Sequence, residues 1–135
     1  MTAYNLSYAG AMVSDTKDIL HWIRALMTPG KILPLKQLQE LTTYVSAKTG
    51  ASLNKVSKED PNGFGLGIYL SYSPECFSEP VITYAGMTVG FRAQYIYLKS
   101  KNIALAATVN SGVDSTVKDH LLCLLVEAYK AIPKK

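Results

Sequence analysis

Four strand-like stretches follow one another between Phe64 and Val109 with links too short to hold a helix. A parallel pair needs a crossover of a dozen or more residues, so strands joined this way run antiparallel. In the first, Phe64, Leu66, Ile68, Leu70 and Tyr72 alternate with Gly65, Gly67, Tyr69 and Ser71. This is the period-two pattern of a strand. Pro80 to Tyr84 and Phe91 to Leu98 are the second and third stretches, and Lys99-Ser100-Lys101-Asn102 makes a polar hairpin turn after them. The fourth, Ile103 to Val109, is apolar on both faces, as expected of a central strand covered on both sides.

Helical periodicity brackets these strands. Ile19, Trp22, Ile23, Leu26 and Met27 recur at three- and four-residue spacing after Ser14, which can cap their helix, and Pro29-Gly30 ends it. Pro34 suits the first turn of a second helix, with Leu35, Leu38, Leu41 and Val45 as its stripe. Ser46 to Gly63 is polar and reads as a loop. A last helix begins at Ser111–Ser115 and buries Val117, Leu121, Leu124, Leu125 and Ala128. The expected fold is α/β of the α+β type. It forms a single segment over 1–135, with an antiparallel sheet of about four strands flanked by helices in the order α-α-β-β-β-β-α.

Several function classes are disfavoured. The net charge of +4 is mild and the lysines are scattered, apart from Lys130, Lys134 and Lys135, so no nucleic-acid partner is expected. No uncharged stretch approaches the roughly 18 residues of a membrane span. Met1 to Asn5 lacks a basic region followed by an apolar one, so no signal peptide is expected within this chain. Cys76 and Cys123 have no metal-ligand spacing, and Cys123 is expected to pack in the core. They can pair or stay free. His21 and His120 have no carboxylate at helical spacing and read as structural residues.

Four local motifs, in order, carry a family resemblance. They are Ala9-Gly10-Ala11-Met12-Val13-Ser14-Asp15-Thr16-Lys17-Asp18-Ile19; Gly63-Phe64-Gly65-Leu66-Gly67; Tyr84-Ala85-Gly86-Met87-Thr88-Val89-Gly90-Phe91; and Ile103 to Asn110. Over roughly residues 7 to 130 this series resembles the C-terminal part of the penicillin-recognising serine hydrolases. The branch is that of class C β-lactamases, D-alanyl-D-alanine carboxypeptidases and related esterases. The resemblance implies a partial β-lactamase/transpeptidase-like fold.

The resemblance also implies acyl transfer by a Ser of a Ser-x-x-Lys motif, with a Tyr-x-Asn motif managing its proton. Both motifs precede the segment present here. No Tyr-x-Asn string occurs in the chain. Ser14…Lys17 and Ser115…Lys118 read as helix starts, and Ser52…Lys55 as loop residues. Lys48-Thr49-Gly50 spells the third family motif but lies in a polar stretch without the following Gly-Phe. Tyr84-Ala85-Gly86 has strand context and Gly90-Phe91, so it is taken as that motif.

By the resemblance, Tyr84 stands where a charge or hydrogen bond meets the nucleophile, and Ala85 where a hydroxyl holds a substrate carboxylate. Gly86 keeps the backbone open, Met87 offers its N–H to the oxyanion, and Arg92 can reach an anion near the cleft. Ala85 favours an ester-like substrate over a carboxylate-bearing one.

The expected partners are a small-molecule or peptidoglycan-like substrate, the missing N-terminal half of the same protein, and a second copy of the chain. No metal or cofactor is implied. The parent protein is expected in the periplasm or cell envelope, and this chain alone is expected to be inactive. The same replacements also fit a non-catalytic binding module with a degenerate cleft.

Overall fold

The computed structural model of the chain describes residues 12–88, 90–110 and 116–133. The first motif through Ala11, Val89, the start of the last helix at Ser111–Ser115, and Lys134 and Lys135 lie outside them. So do the side chains of Val117, Lys118 and His120. No helix of the described residues is long and apolar enough to cross a membrane.

The order is α1 (Thr16–Met27), α2 (Leu35–Leu41), β1 (Tyr44–Ser46), β2 (Ser52–Leu53), β3 (Asn62–Phe64), β4 (Tyr69–Ser71), β5 (Val81–Thr88), β6 (Phe91–Leu98), β7 (Ile103–Val109) and α3 (Thr116–Lys130). All strands join one antiparallel sheet in the order β2-β1-β3-β4-β5-β6-β7. The α+β class stands. The count of about four strands is corrected to seven.

Two causes account for the extra strands. The alternating run from Phe64 to Tyr72 is a hairpin: β3 pairs with β4, Phe64 opposite Tyr69, and the chain reverses through Gly65–Ile68. Gly67 takes a φ of +78° there, a left-handed conformation that glycine adopts without steric cost. The polar stretch after Ser46 contains the short hairpin β1–β2. Ser46, only 3% exposed, holds its turn by accepting from the Lys48 and Thr49 N–H groups at 3.2 and 3.1 Å. Accordingly α2 stops at Leu41, and Val45 belongs to β1. Thr42 satisfies the helix end by donating its hydroxyl to Leu38 O at 2.9 Å.

Helices cover both faces of the sheet. On one face, Ile23, Leu26 and Met27 of α1 and Leu38 of α2 pack with Ile68, Ile82, Tyr97 and Ala104. On the other, Leu121, Leu125 and Val126 of α3 pack with Val81, Ile96, Leu98 and Ala107, and Phe77 closes this layer. Ile23, Ile96 and Leu98 are fully buried. Alternation along β5 and β6 therefore sends Ile82 and Tyr97 to the α1 side, and Val81, Ile96 and Leu98 to the α3 side.

Four details depart from the sequence expectation. Asp15, not Ser14, caps α1, accepting from Asp18 N at 2.8 Å. Trp22, Leu35 and Leu124, expected in buried stripes, are 53%, 56% and 59% exposed, and Ala128 is exposed too, because the residues that meet the sheet are Ile23, Leu26 and Met27 of α1, Leu38 of α2 and Leu121, Leu125 and Val126 of α3. Cys123 is exposed rather than packed in the core, and neither cysteine is bonded. Finally, β7 stands last in the strand order of the described residues.

Candidate functional site

The candidate site forms where β5 outruns β4. Only Val81, Ile82 and Thr83 pair with β4, whereas every residue from Ile82 to Thr88 pairs with β6. Tyr84, Ala85, Gly86 and Met87 are exposed, and no described strand continues along their outer side.

The register decides which backbone groups face that open edge. Thr83 Oγ1 donates to Tyr95 O at 2.6 Å, so the polar groups of Tyr95 point toward β5. Antiparallel pairs alternate between bonded and non-bonded. Tyr84, opposite Tyr95, therefore bonds β6, as does Gly86, while Ala85 and Met87 direct N–H and C=O outward.

Side chains divide by the same alternation. Ala85, Gly86, Met87 and Arg92 line one depression of about 230 Å³, together with Ala93, Gln94 and Leu121 of α3. Met87 is opposite Arg92 and Ala85 opposite Gln94 across the β5–β6 hairpin. Arg92 is half-buried in this wall. An ideal Cβ at Gly86 would meet nothing within 4 Å, so this glycine leaves open space rather than relieving a clash.

Tyr84 is the exception among the five named residues. It shares the opposite, α1 side of the sheet with its cross-strand partner Tyr95. Burial and the neighbouring Tyr84 push the Tyr95 phenol up to about 12, and burial and Tyr95 push Tyr44 up to about 12. Tyr44 and Tyr95 are therefore protonated at neutral pH.

The decoys are set apart. Lys48-Thr49-Gly50 is the turn between β1 and β2, at the far end of the sheet from β7 and four strands from β6. Ser14 and Lys17 are exposed at the start of α1, and Ser52 and Lys55 are exposed around the short β2. His21 is exposed and lines a shallow hollow with Met12, Val13 and Trp22.

One cluster with nucleophilic groups escaped the sequence reading. Ser78, Lys101 and Tyr129 form a triangle: Ser78 Oγ to Tyr129 OH 2.8 Å, Lys101 Nζ to Ser78 Oγ 2.8 Å, and Lys101 Nζ to Tyr129 OH 2.9 Å. The Lys101 and Ser78 contacts hold the Tyr129 phenol below its ordinary pKa. The triangle ties the β4–β5 link, the β6–β7 turn and α3 together. No spacing in the sequence announces it, because its members are 23 and 51 residues from Ser78. Gln94 and Leu121 were missed as well. The hairpin register gives Gln94 once β5 and β6 are paired, whereas Leu121 needs the tertiary packing of α3.

No protein-family model matches the sequence, and no curated protein matches it. Among solved structures, the chain is similar to a D-stereospecific amidohydrolase from Streptomyces sp., with a TM-score of 0.57 and 26% identity over 82% of this chain. The match takes in 30% of that protein's length. The likeness fits the penicillin-recognising superfamily at the level of a hydrolase-like α+β fold, and no finer.

Proposed function

We propose that this chain is one wall of the cleft of a serine hydrolase that acts by acyl transfer on an ester or amide. A serine outside residues 1–135 attacks the substrate carbonyl, and its proton passes to a base that is also outside. The carbonyl oxygen becomes an oxyanion held by the Met87 N–H and the nucleophile's own N–H. The leaving group departs with a proton, and water then releases the acyl group. Protons and water balance the sequence of steps, so no cofactor enters.

The observation that carries this reading is the open β5 edge: an outward N–H at Met87, bracketed by Gly86 and Ala85, which leave room for a ligand. A donor aimed at a developing oxyanion needs no particular side chain, so the exposed Met87 fits as well as any residue. Ala85 offers no hydroxyl to a substrate carboxylate, which favours neutral esters and amides over penicillins. The D-stereospecific amidohydrolase adds D-configured amides to the substrates worth testing. The family resemblance supports a periplasmic or cell-envelope location for the parent protein, with its N-terminal half supplying the nucleophile.

The test uses the complete natural protein that contains this segment, assayed on nitrophenyl esters, D-amino-acid amides and a chromogenic β-lactam. Hydrolysis through a serine-linked acyl intermediate supports the reading. No turnover of any of them rejects it.

A non-catalytic binding module is the second reading, favoured by one observation. Tyr84 lies across the sheet from Ala85 and Met87, so the wall carries neither the ionisable group nor the hydroxyl of the family pattern. Saturable binding of a substrate ester by the complete protein without its consumption selects this reading.

A further inference from the structure

The triangle of Ser78, Lys101 and Tyr129 lies at the other end of the β5–β6 hairpin from the cleft wall. Ser78 precedes β5, which starts at Val81, and Lys101 follows β6, which ends at Leu98. Each corner is held by its own anchor. Phe77, only 3% exposed, fixes the chain beside Ser78, and its ring packs against that of Tyr129 with centroids 5.4 Å apart. Tyr129 in turn packs against the α3-side core. Lys101 sits in a turn closed by Asn102, which has a φ of +51° and accepts from Tyr97 OH at 3.2 Å. A second pair locks the two loops together, because Glu79 accepts from both the N–H and the hydroxyl of Ser100.

The arrangement has the parts that activate a hydroxyl nucleophile: an oxygen, an adjacent base and a third group that orients the base. Lys101 can only donate, and it donates to Ser78 Oγ at 2.8 Å and to Tyr129 OH at 2.9 Å. The bond of 2.8 Å between the two oxygens must then use a hydroxyl hydrogen of Ser78 or Tyr129. Once the phenol is ionised, only Ser78 can supply it, so the serine proton points at the phenolate. The hydrogen bonds from Lys101 and Ser78 favour that ionised form. The ammonium also carries a third N–H, close to where the oxygen of a carbonyl attacked by Ser78 gains charge.

We propose that Ser78 is an acyl-acceptor site for activated esters of small carboxylic acids, with Tyr129 as its base and Lys101 as its oxyanion donor. Ser78 Oγ forms the new bond to the carbonyl carbon, and its proton passes to the Tyr129 oxygen. The bond from that carbon to the leaving oxygen breaks, and the leaving group takes the electron pair. The Tyr129 proton then goes to the leaving group or to water. Ser78 is left acylated, and no cofactor takes part. The cleft serine proposed above lies outside residues 1–135, so the two sites stand or fall separately.

The test treats the complete natural protein with p-nitrophenyl acetate and follows acetylation of each peptide by mass spectrometry over time. Ser14 and Ser52 are exposed and give the background rate within the same digest. Ser78 should be acetylated at least about a hundredfold faster than either. Tyr129→Phe keeps the ring against Phe77 and removes the base, so it should slow Ser78 about a hundredfold. Lys101→Gln should slow it about tenfold or more. Circular dichroism checks folding; if Tyr129→Phe does not fold, Lys101→Gln in its exposed turn decides. A Ser78 rate no higher than that of Ser14 and Ser52, an acetyl group on Lys101 or Tyr129 in its place, or a rate unchanged in the folded variants overturns the proposal. A cleft adduct would map to a peptide outside this chain, so its presence or absence does not bear on Ser78.

Discussion

Two glycines in motifs that resemble one family have opposite reasons for being glycine, and a pair of alanine substitutions separates them. At Gly65 a Cβ would sit 2.5 Å from the Leu41 carbonyl oxygen, 3.1 Å from Ile68 Cγ1 and 3.3 Å from Tyr44 Cε1. Backbone cannot swing aside as a flexible side chain can. The β3–β4 turn must move at least half an ångström from α2 to restore a contact of 3.0 Å.

That shift pulls on the bond from Leu66 N to Leu41 O, already 3.2 Å long, which ties the turn to the end of α2. Overpacking costs about 1–3 kcal/mol, and a weakened hydrogen bond adds about 0.5–1.5 kcal/mol. Gly65→Ala should therefore lower stability by about 2–4 kcal/mol. At Gly86 the same methyl meets nothing within 4 Å, and φ is not left-handed. Gly86→Ala should stay within about 0.5 kcal/mol of the parent.

Urea unfolding followed by far-ultraviolet circular dichroism measures both, provided that the slope against denaturant is unchanged. Equal losses for the two variants, or the larger loss at Gly86, would refute the assignment of Gly65 to packing and Gly86 to open space at the cleft.

Two further outcomes follow from the structure. Tyr44 and Tyr95 titrate near 12 in the folded protein against about 10 in an unfolded chain. Between those values the unfolded state has lost protons that the folded state keeps, so stability should fall as pH rises from about 10 toward 12. Urea midpoints measured across that window, repeated in Tyr44→Phe and Tyr95→Phe, check this: each variant should flatten the decline. Asp15→Ala removes the cap on Asp18 N and should cost about 1 kcal/mol by the same unfolding assay, whereas Ser14→Ala should cost little.

The sheet was legible in the sequence where one side chain in two is buried and links are short. Phe91–Leu98 and Ile103–Val109 stand where alternation and the polar turn at Lys99–Asn102 placed them. The strands β1 to β4 were not, because each has two or three residues, too few for periodicity to register. The apparent long strand from Phe64 to Tyr72 misled for a physical reason. The apolar residues alternate in sequence straight through the four-residue reversal, although the pairing of Phe64 with Tyr69 and of Gly63 with Leu70 puts Phe64 and Leu70 on opposite faces, and only Gly65 and Gly67 betray the turn.

Composition identified β7 as a strand covered on both faces, which it is, yet composition says nothing about its edge. At the site, Ala85, Gly86, Met87 and Arg92 line one depression. Tyr84 did not, because adjacent residues of a strand face opposite sides of the sheet. The triangle of Ser78, Lys101 and Tyr129 arises from three elements and is visible only in the folded chain.

The most direct test of the cleft assignment is Met87→Pro in the complete natural protein. Proline deletes the outward N–H while leaving the pairing with β6 in place. Steady-state hydrolysis of a nitrophenyl ester is the readout, with circular dichroism to confirm folding. Loss of one oxyanion donor should reduce kcat by about 10²–10³, with KM changed little. A folded variant that keeps the parent kcat contradicts the placement of Met87 at the oxyanion, and with it the reading of this chain as a wall of a hydrolase cleft.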